Sequence, residues 1–218
     1  MEHREHCQIG PFRVRVTLDD VRKRFPGTLR ESLPPLRVRG DHDLNPGFGP
    51  PETLREAAVL VPLVDRPEGF TVLFTQRTTT LTAHAGQISF PGGRREPHDR
   101  HPEDTALRET EEEIGLTRHH VEIVGRLDTY VTRTGFTVTP VVGLVRPPFK
   151  LDPDGTEVAD VFEVPLAFIL DPASLQRDSR ELMGGPRLFY AFPYQSRYIW
   201  GATAGMLVNL RDVMRGLS

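Results

Sequence analysis

Residues 90–116 read FPGGRREPHDRHPEDTALRETEEEIGL. Glu109, Glu111, Glu112 and Glu113 stand close together here, downstream of the paired Gly92 and Gly93. Carboxylates at that density repel one another unless water or a cation relieves them. The segment 102–114 carries the signals of a helix. Pro102 fits a first turn, Glu103 and Asp104 complement the positive end of the helix dipole, and Gly115 supplies a C-terminal stop. Leu107, Thr110 and Ile114 fall on one face, which is expected to be the buried one. Residues three and four apart on a helix face the same way, so Glu109, Glu112 and Glu113 make one carboxylate face while Glu111 points elsewhere. Hard oxygen donors so placed suit Mg2+ or Mn2+, ions that also hold waters and substrate phosphate oxygens. A Gly92–Gly93 turn lets the backbone approach a metal or phosphate closely, and its carbonyls are further hard ligands. Arg108 could pair with a carboxylate and hold it in place. Taken alone, E-T-E-E-E also describes a solvated acidic helix face.

Upstream of the glycines, AAVLVPLV (57–64) is an apolar run of buried-strand length, and Pro62 points to an edge or a bulge. After the turn DRPEG (65–69), FTVLFTQR (70–77) alternates apolar and polar residues, so the two runs read as a hairpin. Residues 78–87 are loop-like, and ISF (88–90) is a short strand entering the glycine turn. VEIVGRL (121–127), TVTPVVGLV (137–145) and EVADVFEVPL (157–166) are further strand candidates. LFYAFPY (188–194) and RYIWG (197–201) form a pair ahead of a closing helix that ends near 214. Strands and helices joined by hairpins as well as crossovers predict an α/β fold, a sandwich with a mixed sheet. In residues 1–50, TLDDVRKRF (17–25) reads as a short helix with Thr17 as N-cap, followed by an irregular Pro- and Gly-rich connection. The expected organisation is an N-terminal extension over 1–50 and a globular domain over 51–218.

The 218 residues are 38% hydrophobic and 26% charged, which suits one domain with a generous core plus that extension. A net charge of −3 implies no broad basic surface, so no nucleic-acid partner is expected. Aromatic residues are not interleaved with the arginines, which argues further against RNA binding. The cations are nearly all Arg, with Lys only at Lys23 and Lys150. Arg suits anionic ligands, although genome composition produces the same skew. Cys7 is the one cysteine, so no intramolecular disulfide can form and a reducing cytoplasm is the expected location. The N-terminus lacks the apolar stretch of a signal peptide, and no run approaches the roughly 18 apolar residues of a membrane span, so no membrane partner is expected. His3, His6 and Cys7 could in principle chelate a metal, but a solvated terminus is the simpler account.

The whole string 93–116 resembles the Nudix box, G-x5-E-x7-R-E-U-x-E-E-x-G-U, where U is apolar. Arg108, Glu109, Glu112, Glu113, Gly115 and Leu116 match in register. Thr110 takes an apolar place, the interval from Gly93 to Arg108 is one residue longer, and Asp99 stands where the first Glu belongs. The chain is similar to Nudix hydrolases, which implies an α-β-α sandwich around a mixed β-sheet. The longer box resembles the coenzyme A pyrophosphatase branch, whose upstream motif is approximately L-L-T-x-R-[SA]-x3-R-x3-G-x3-F-P-G-G. Leu73, Thr75, Arg77, Gly86, Phe90, Pro91, Gly92 and Gly93 fall in register with it. Thr78 replaces Ser or Ala, and Thr82 stands where a second Arg belongs, removing a guanidinium that could hold a phosphate.

That resemblance implies hydrolysis of a nucleoside diphosphate derivative, coenzyme A or a relative, by water attacking a phosphorus of the diphosphate. Metal ligands would come from Glu109, Glu112, Glu113 and Gly93, with Mg2+ or Mn2+ as cofactor. A carboxylate must accept a proton from that water or orient it. Glu112 is one candidate, and Glu109 and Glu157 are rivals. Nudix enzymes often bring an extra carboxylate to the metal from a loop, which Glu157 could be; equally, it could merely start a strand beside a turn. Arg77, Gly92 and Arg108 are the candidate substrate contacts, Arg77 having an ion pair with the acidic helix as its alternative role. His84 and His98 could reach substrate or simply be solvated. Trp200 and Tyr198 read as core rather than as stacking partners. ADP-ribose, NADH, NDP-sugars, dinucleotides and damaged nucleoside triphosphates are alternative substrates. A non-catalytic binding module is a further alternative, opposed by retention of all three carboxylates on the metal face. Nudix domains often form homodimers, and the N-terminal segment could contribute to such an interface.

Overall fold

The computed structural model of this chain describes residues 16–25, 37–47, 49, 51–80, 85–181 and 185–216. His3, His6, Cys7, Thr82 and His84 lie outside the described residues. In chain order the elements are α1 (Leu18–Arg24), β1 (Val38–Gly40), β2 (Arg55–Val64), β3 (Thr71–Arg77), β4 (Ile88–Ser89), β5 (Gly92–Arg94), α2 (Pro102–Ile114), β6 (Val121–Arg126), β7 (Thr129–Val131), β8 (Phe136–Val145), β9 (Val158–Pro165), α3 (Leu166–Leu170), β10 (Gln176–Glu181), β11 (Pro186–Tyr194), β12 (Arg197–Trp200) and α4 (Ala202–Arg215). Among the described residues, no helix is long and apolar enough to cross a membrane.

Strand β2 organises the sheet because its residues are apolar on both faces. Even-numbered Ala58, Leu60 and Val64 pack with Ala106 and Ile114 of α2, whereas Val61 and Leu63 face the other core with Val21 of α1, Ile169 of α3 and Leu207 of α4. That period-two division puts one helix on one face of the sheet and three on the other. The expected α-β-α sandwich around a mixed sheet is therefore what the chain forms. β2 runs parallel to β8 from Arg55↔Phe136 to Val64↔Val145, and antiparallel to β3 and β5. The order is β1-β7-β8-β2-β3-β4, with β6 also on β8 and β9 on β3. Strands β10, β11 and β12 form a separate antiparallel sheet. Phe74 stacks on Phe90 at 5.1 Å and on Phe162 at 5.7 Å between centroids, contacts of about 0.5–1.5 kcal/mol each beyond area burial.

Pro62 does not mark an edge, because β2 is central. Leu60 donates its N–H to Pro91 O, and Pro62 faces the same side two residues on. It falls past the β5 pairing, which ends at Val59, and before the β3 pairing, which begins at Leu63. Its missing N–H therefore costs the ladder nothing. The buried face of α2 is also rotated from the one expected. Thr105, Ala106, Thr110, Glu113 and Ile114 are buried and Leu107 is only partly covered. Thr110 satisfies its hydroxyl by donating to Ala106 O at 2.6 Å. Thr17 caps α1, its Oγ1 accepting from Asp20 N at 3.2 Å while Asp20 Oδ2 accepts from Thr17 N at 2.9 Å.

Gly115 ends α2 in the left-handed region, with φ 69°. There the incoming segment donates Asp152 N to Ile114 O and Asp154 N to Glu113 O, both at 2.9 Å. A Cβ at Gly115 would lie 3.0 Å from Asp152 N. Gly115→Ala is expected to cost about 1–2 kcal/mol from the left-handed backbone alone. A urea unfolding midpoint would measure the loss, and an unchanged midpoint would refute this account of the cap.

Candidate active site

The acidic helix is pinned from its N-terminal side. Asp104 Oδ2 accepts from Arg100 N and His101 N at 3.0 and 2.9 Å. Asp99, 3% exposed, accepts from Arg108 Nη2 at 2.9 Å, Thr105 Oγ1 at 2.9 Å and Glu96 N at 2.9 Å. Arg108 Nε adds a fourth bond at 3.3 Å. The Arg108 guanidinium beside it holds the Asp99 carboxyl well below the usual carboxylate range. Arg108 gives its other donors to Glu109 Oε1 at 2.9 Å, Glu112 Oε2 at 3.1 Å and Arg94 O at 3.0 Å. All five N–H donors of a guanidinium are thereby used inside the protein. A bidentate charge-assisted pair of this kind fixes orientation as well as adding energy.

Glu109 and Glu113 are turned toward the Gly92–Gly93 turn. Gly92 N donates to Glu113 Oε2 at 3.1 Å, and a Cβ on Gly93 would lie 2.4 Å from Glu109 Oε2. Only glycine admits the carboxylate this close. Burial pushes the Glu113 carboxyl up to about 7, against the pull of the Gly92 N–H and Arg77, and Glu109 and Glu157 add to the rise. Burial also raises Glu109, while Arg108 opposes it. Arg77, at the end of β3, lies between two acids, with Nη1 3.7 Å from Glu113 Oε1 and Nη2 3.6 Å from Glu157 Oε2. Its buried Nε has no hydrogen-bond partner. Glu157 stands at the head of β9, and its carbonyl accepts from Thr78 N at 2.9 Å, so the two strand ends are tied together.

The structure thus gathers Arg77, Gly92, Gly93, Arg108, Glu109, Glu113 and Glu157 around one turn. Glu112 sits at the outer edge, exposed and bonded to Arg108. Glu111 points away to Arg118 at 3.8 Å. Exposed His98 lies by Glu96 and Asp99 at 3.4 and 3.7 Å. Among the described residues, no three His, Cys, Asp or Glu side chains stand close enough to enclose an ion unaided. A divalent cation nevertheless fits here. Glu113 and Glu157 share one guanidinium, Arg77, while burial raises both Glu109 and Glu113, and the oxygens of all three are hard donors.

Arg77 and Gly92 also line a cavity of about 420 Å³ that extends away from the carboxylates. Its walls include Phe136, Phe189, Trp200 and Met206, with Asp41 and Asn45 from the N-terminal part of the chain. Trp200 therefore lines an opening instead of filling the core, because β12 belongs to the separate three-stranded sheet. Asp41 and Asn45 carry no signal in the sequence. Asn45 acquires its partner, Leu188, across 143 residues.

The family model for the NUDIX domain matches residues 54–183. The uncharacterized Nudix hydrolase NudL of Photorhabdus laumondii is 40% identical over 195 residues, which cover 89% of this chain and 96% of that protein. NudL of Pectobacterium atrosepticum is 38% identical over 172 residues, covering 77% and 86% respectively. Among solved structures, the Nudix hydrolase RenU of M. smegmatis superposes with a TM-score of 0.49 at 20% identity, covering 75% of this chain and 88% of that one.

The raised Glu113 makes stability depend on pH. Its carboxyl moves from 4.5 to about 7 on folding, so the folded chain holds this proton more tightly than the unfolded chain. The contribution is fully present below 4.5 and is lost as pH rises through 7. Without divalent cations, the wild type is expected to lose roughly 2–3 kcal/mol relative to Glu113→Gln between about pH 5 and 8. Urea midpoints of the two proteins across that range measure it. A difference that stays flat with pH would contradict the assignment.

Proposed function

Because the chain belongs to the Nudix family, we propose that it is a metal-dependent pyrophosphohydrolase that cleaves coenzyme A or its derivatives to 4′-phosphopantetheine and adenosine 3′,5′-bisphosphate. The observation that carries the hydrolytic reading is the pair of burial-raised carboxylates, Glu109 and Glu113, held against the Gly92–Gly93 turn beside a cavity. Water attacks one phosphorus of the diphosphate, the bridging P–O bond breaks, and the proton taken from water is released with the products. Glu109, Glu112 and Glu113, with the Gly93 carbonyl, would hold Mg2+ or Mn2+, which when bound neutralises the diphosphate and makes a coordinated water more acidic.

The chain's own residues do the rest. Glu112, exposed and oriented by Arg108, is positioned to take or orient the proton of the attacking water, with Glu109 and Glu157 as rivals. Arg77 is the candidate phosphate contact. Its Nε is unpartnered and its two carboxylate contacts, at 3.6 and 3.7 Å, are longer than hydrogen bonds, so it is free to turn toward an anionic oxygen. Gly92 lines the cavity and leaves room for a phosphate against the backbone. Arg108, whose donors are fully used, acts by positioning Glu109 and Glu112. Support for coenzyme A comes from the upstream motif around Arg77, Gly86 and Phe90–Gly93. Thr82 in place of the motif Arg favours a second reading, the same chemistry on ADP-ribose, NADH or an NDP-sugar.

Purified protein with Mg2+ or Mn2+ should release 4′-phosphopantetheine and adenosine 3′,5′-bisphosphate from coenzyme A, identified by mass spectrometry. Glu112→Gln, at an exposed position, should keep the fold and lose about 10²–10⁴ in kcat. Turnover of ADP-ribose or NADH in place of coenzyme A would move the specificity. Folded, metal-binding protein inactive on all of them would overturn the enzymatic reading.

A further inference from the structure

The three-stranded sheet leaves one strand edge open. β10 pairs with β11 from Gln176↔Ala191 to Glu181↔Pro186, and among the described residues no strand pairs with its other side. Every residue of β10 is exposed. Two sets of bonds show which of its backbone groups face outward. Asn45 takes both groups of Leu188, its Nδ2 donating to Leu188 O at 3.0 Å and its Oδ1 accepting from Leu188 N at 2.9 Å. Those groups therefore point away from β10, and Ser179, which stands opposite Leu188, exchanges no backbone bond with it. In agreement, Ser179 N–H donates to the neighbouring Asp178 Oδ1 at 2.7 Å. By the alternation of an antiparallel ladder, Arg177, Ser179 and Glu181 all turn N–H and C=O to the open edge.

The order of charges along β10 decides what such an edge accepts. Cross-strand neighbours point to the same face, so when two identical strands pair antiparallel one residue must stand opposite its own copy. A two-fold axis at Arg177, Asp178, Arg180 or Glu181 sets a charge against itself, which is destabilising. An axis at Gln176 engages only the head of the strand. At Ser179 every charge meets its opposite: Arg177 faces Glu181 of the second copy, Asp178 faces Arg180 of the second copy, and symmetry repeats both pairs. Ser179 also turns both backbone groups outward, so its two copies exchange two hydrogen bonds at the axis. The charged side chains are already drawn to the sheet. Arg180 lies over the Trp200 ring at 4.8 Å and Arg177 over the Tyr190 ring at 5.6 Å, while Tyr198 Oη donates to Asp178 Oδ2 at 2.8 Å. Such contacts reduce the freedom that pairing would otherwise remove. Charges on an edge strand ordinarily discourage pairing, but here their order discourages every register except one.

We propose that the chain forms a two-fold dimer by antiparallel pairing of β10 with β10 of a second copy, centred on Ser179. The contact is isologous, and it closes with two copies because each open edge is used once. The two small sheets then continue into one another across the axis. The same sheet carries Arg187, Phe189 and Trp200 of the cavity lining, so the dimer also supports that part of the molecule. A strand pairing of this length buries less than a standard interface, and the association is correspondingly weak. The dimer does not depend on which diphosphate the chain cleaves.

Sedimentation equilibrium of the full chain at low ionic strength, from about 5 µM to about 1 mM, tests the dimer. The expected result is a monomer–dimer equilibrium with a dissociation constant of about 10–500 µM that weakens with added salt. Asp178→Arg and Arg180→Asp each place two like-charged pairs across the axis, and each should weaken the dimer by about tenfold or more. The two substitutions together restore opposite charges and should return the constant to within about threefold of wild type. Misfolding cannot produce that recovery. Ser179→Pro removes an N–H that β11 does not use and should leave only monomer. A wild type that stays monomeric throughout would overturn the proposal and leave the edge to water or to an unlike strand. So would a dimer that the single reversals and Ser179→Pro leave intact, because its contact would lie elsewhere, or a double reversal no tighter than the singles.

Discussion

The Asp99–Arg108 pair sets the geometry of everything near the glycine turn. Both groups are withdrawn from water, and breaking a buried pair of this kind by removing one partner typically costs about 3–5 kcal/mol. Asp99 takes one side of the guanidinium, so the other side must face Glu109 and Glu112, one turn of helix apart. Arg108 thus spends no donor on solvent, and the acidic helix cannot roll without breaking its bonds to Asp99 and to Arg94 O at once. The rotation that buries Glu113 in place of Leu107 follows from the same constraint.

That arrangement places carboxylates where burial disfavours their charge. Glu113 is raised to about 7 with only Gly92 N–H and a distant Arg77 to offset the loss of water. A sequence selected for stability alone would put an apolar side chain there. A buried, raised carboxylate of this kind breaks the local rules of folding, as residues at functional sites are expected to do. The cavity continues the same logic on its other side. Asp41 and Asn45, which line it, tie the 41–45 turn to Tyr130, Arg133 and Leu188.

Much of this was legible in the sequence, for reasons that are local. The i, i+3, i+4 spacing of Glu109, Glu112 and Glu113 and the stop at Gly115 depend only on helix geometry. The alternation in 57–64 and 70–77 depends only on strand geometry. What the sequence concealed comes from partners far apart along the chain. Pro62 looked like an edge signal because the gap between its two neighbours, β5 and β3, is a tertiary fact. QRDSRE over 176–181 is wholly exposed and polar, and it forms β10 only because 186–191 pairs with it. Trp200 read as core since a large aromatic is usually buried, whereas the strand that carries it lies in the second sheet. Asn45 has no pattern around it at all; its role exists only once Leu188 is beside it.

Mn2+ binding followed by electron paramagnetic resonance, in wild type and in Asp99→Asn, tests the central claim most directly. Asp99 touches none of the candidate ligand carboxylates and reaches Glu109 and Glu112 through Arg108. With both proteins folded by circular dichroism, the account predicts that the substitution weakens Mn2+ binding by about 10–100-fold, the usual cost of losing an outer-shell partner. Equal affinity in the two proteins would show that the carboxylates reach the glycine turn without the Asp99–Arg108 pair, and would contradict the account.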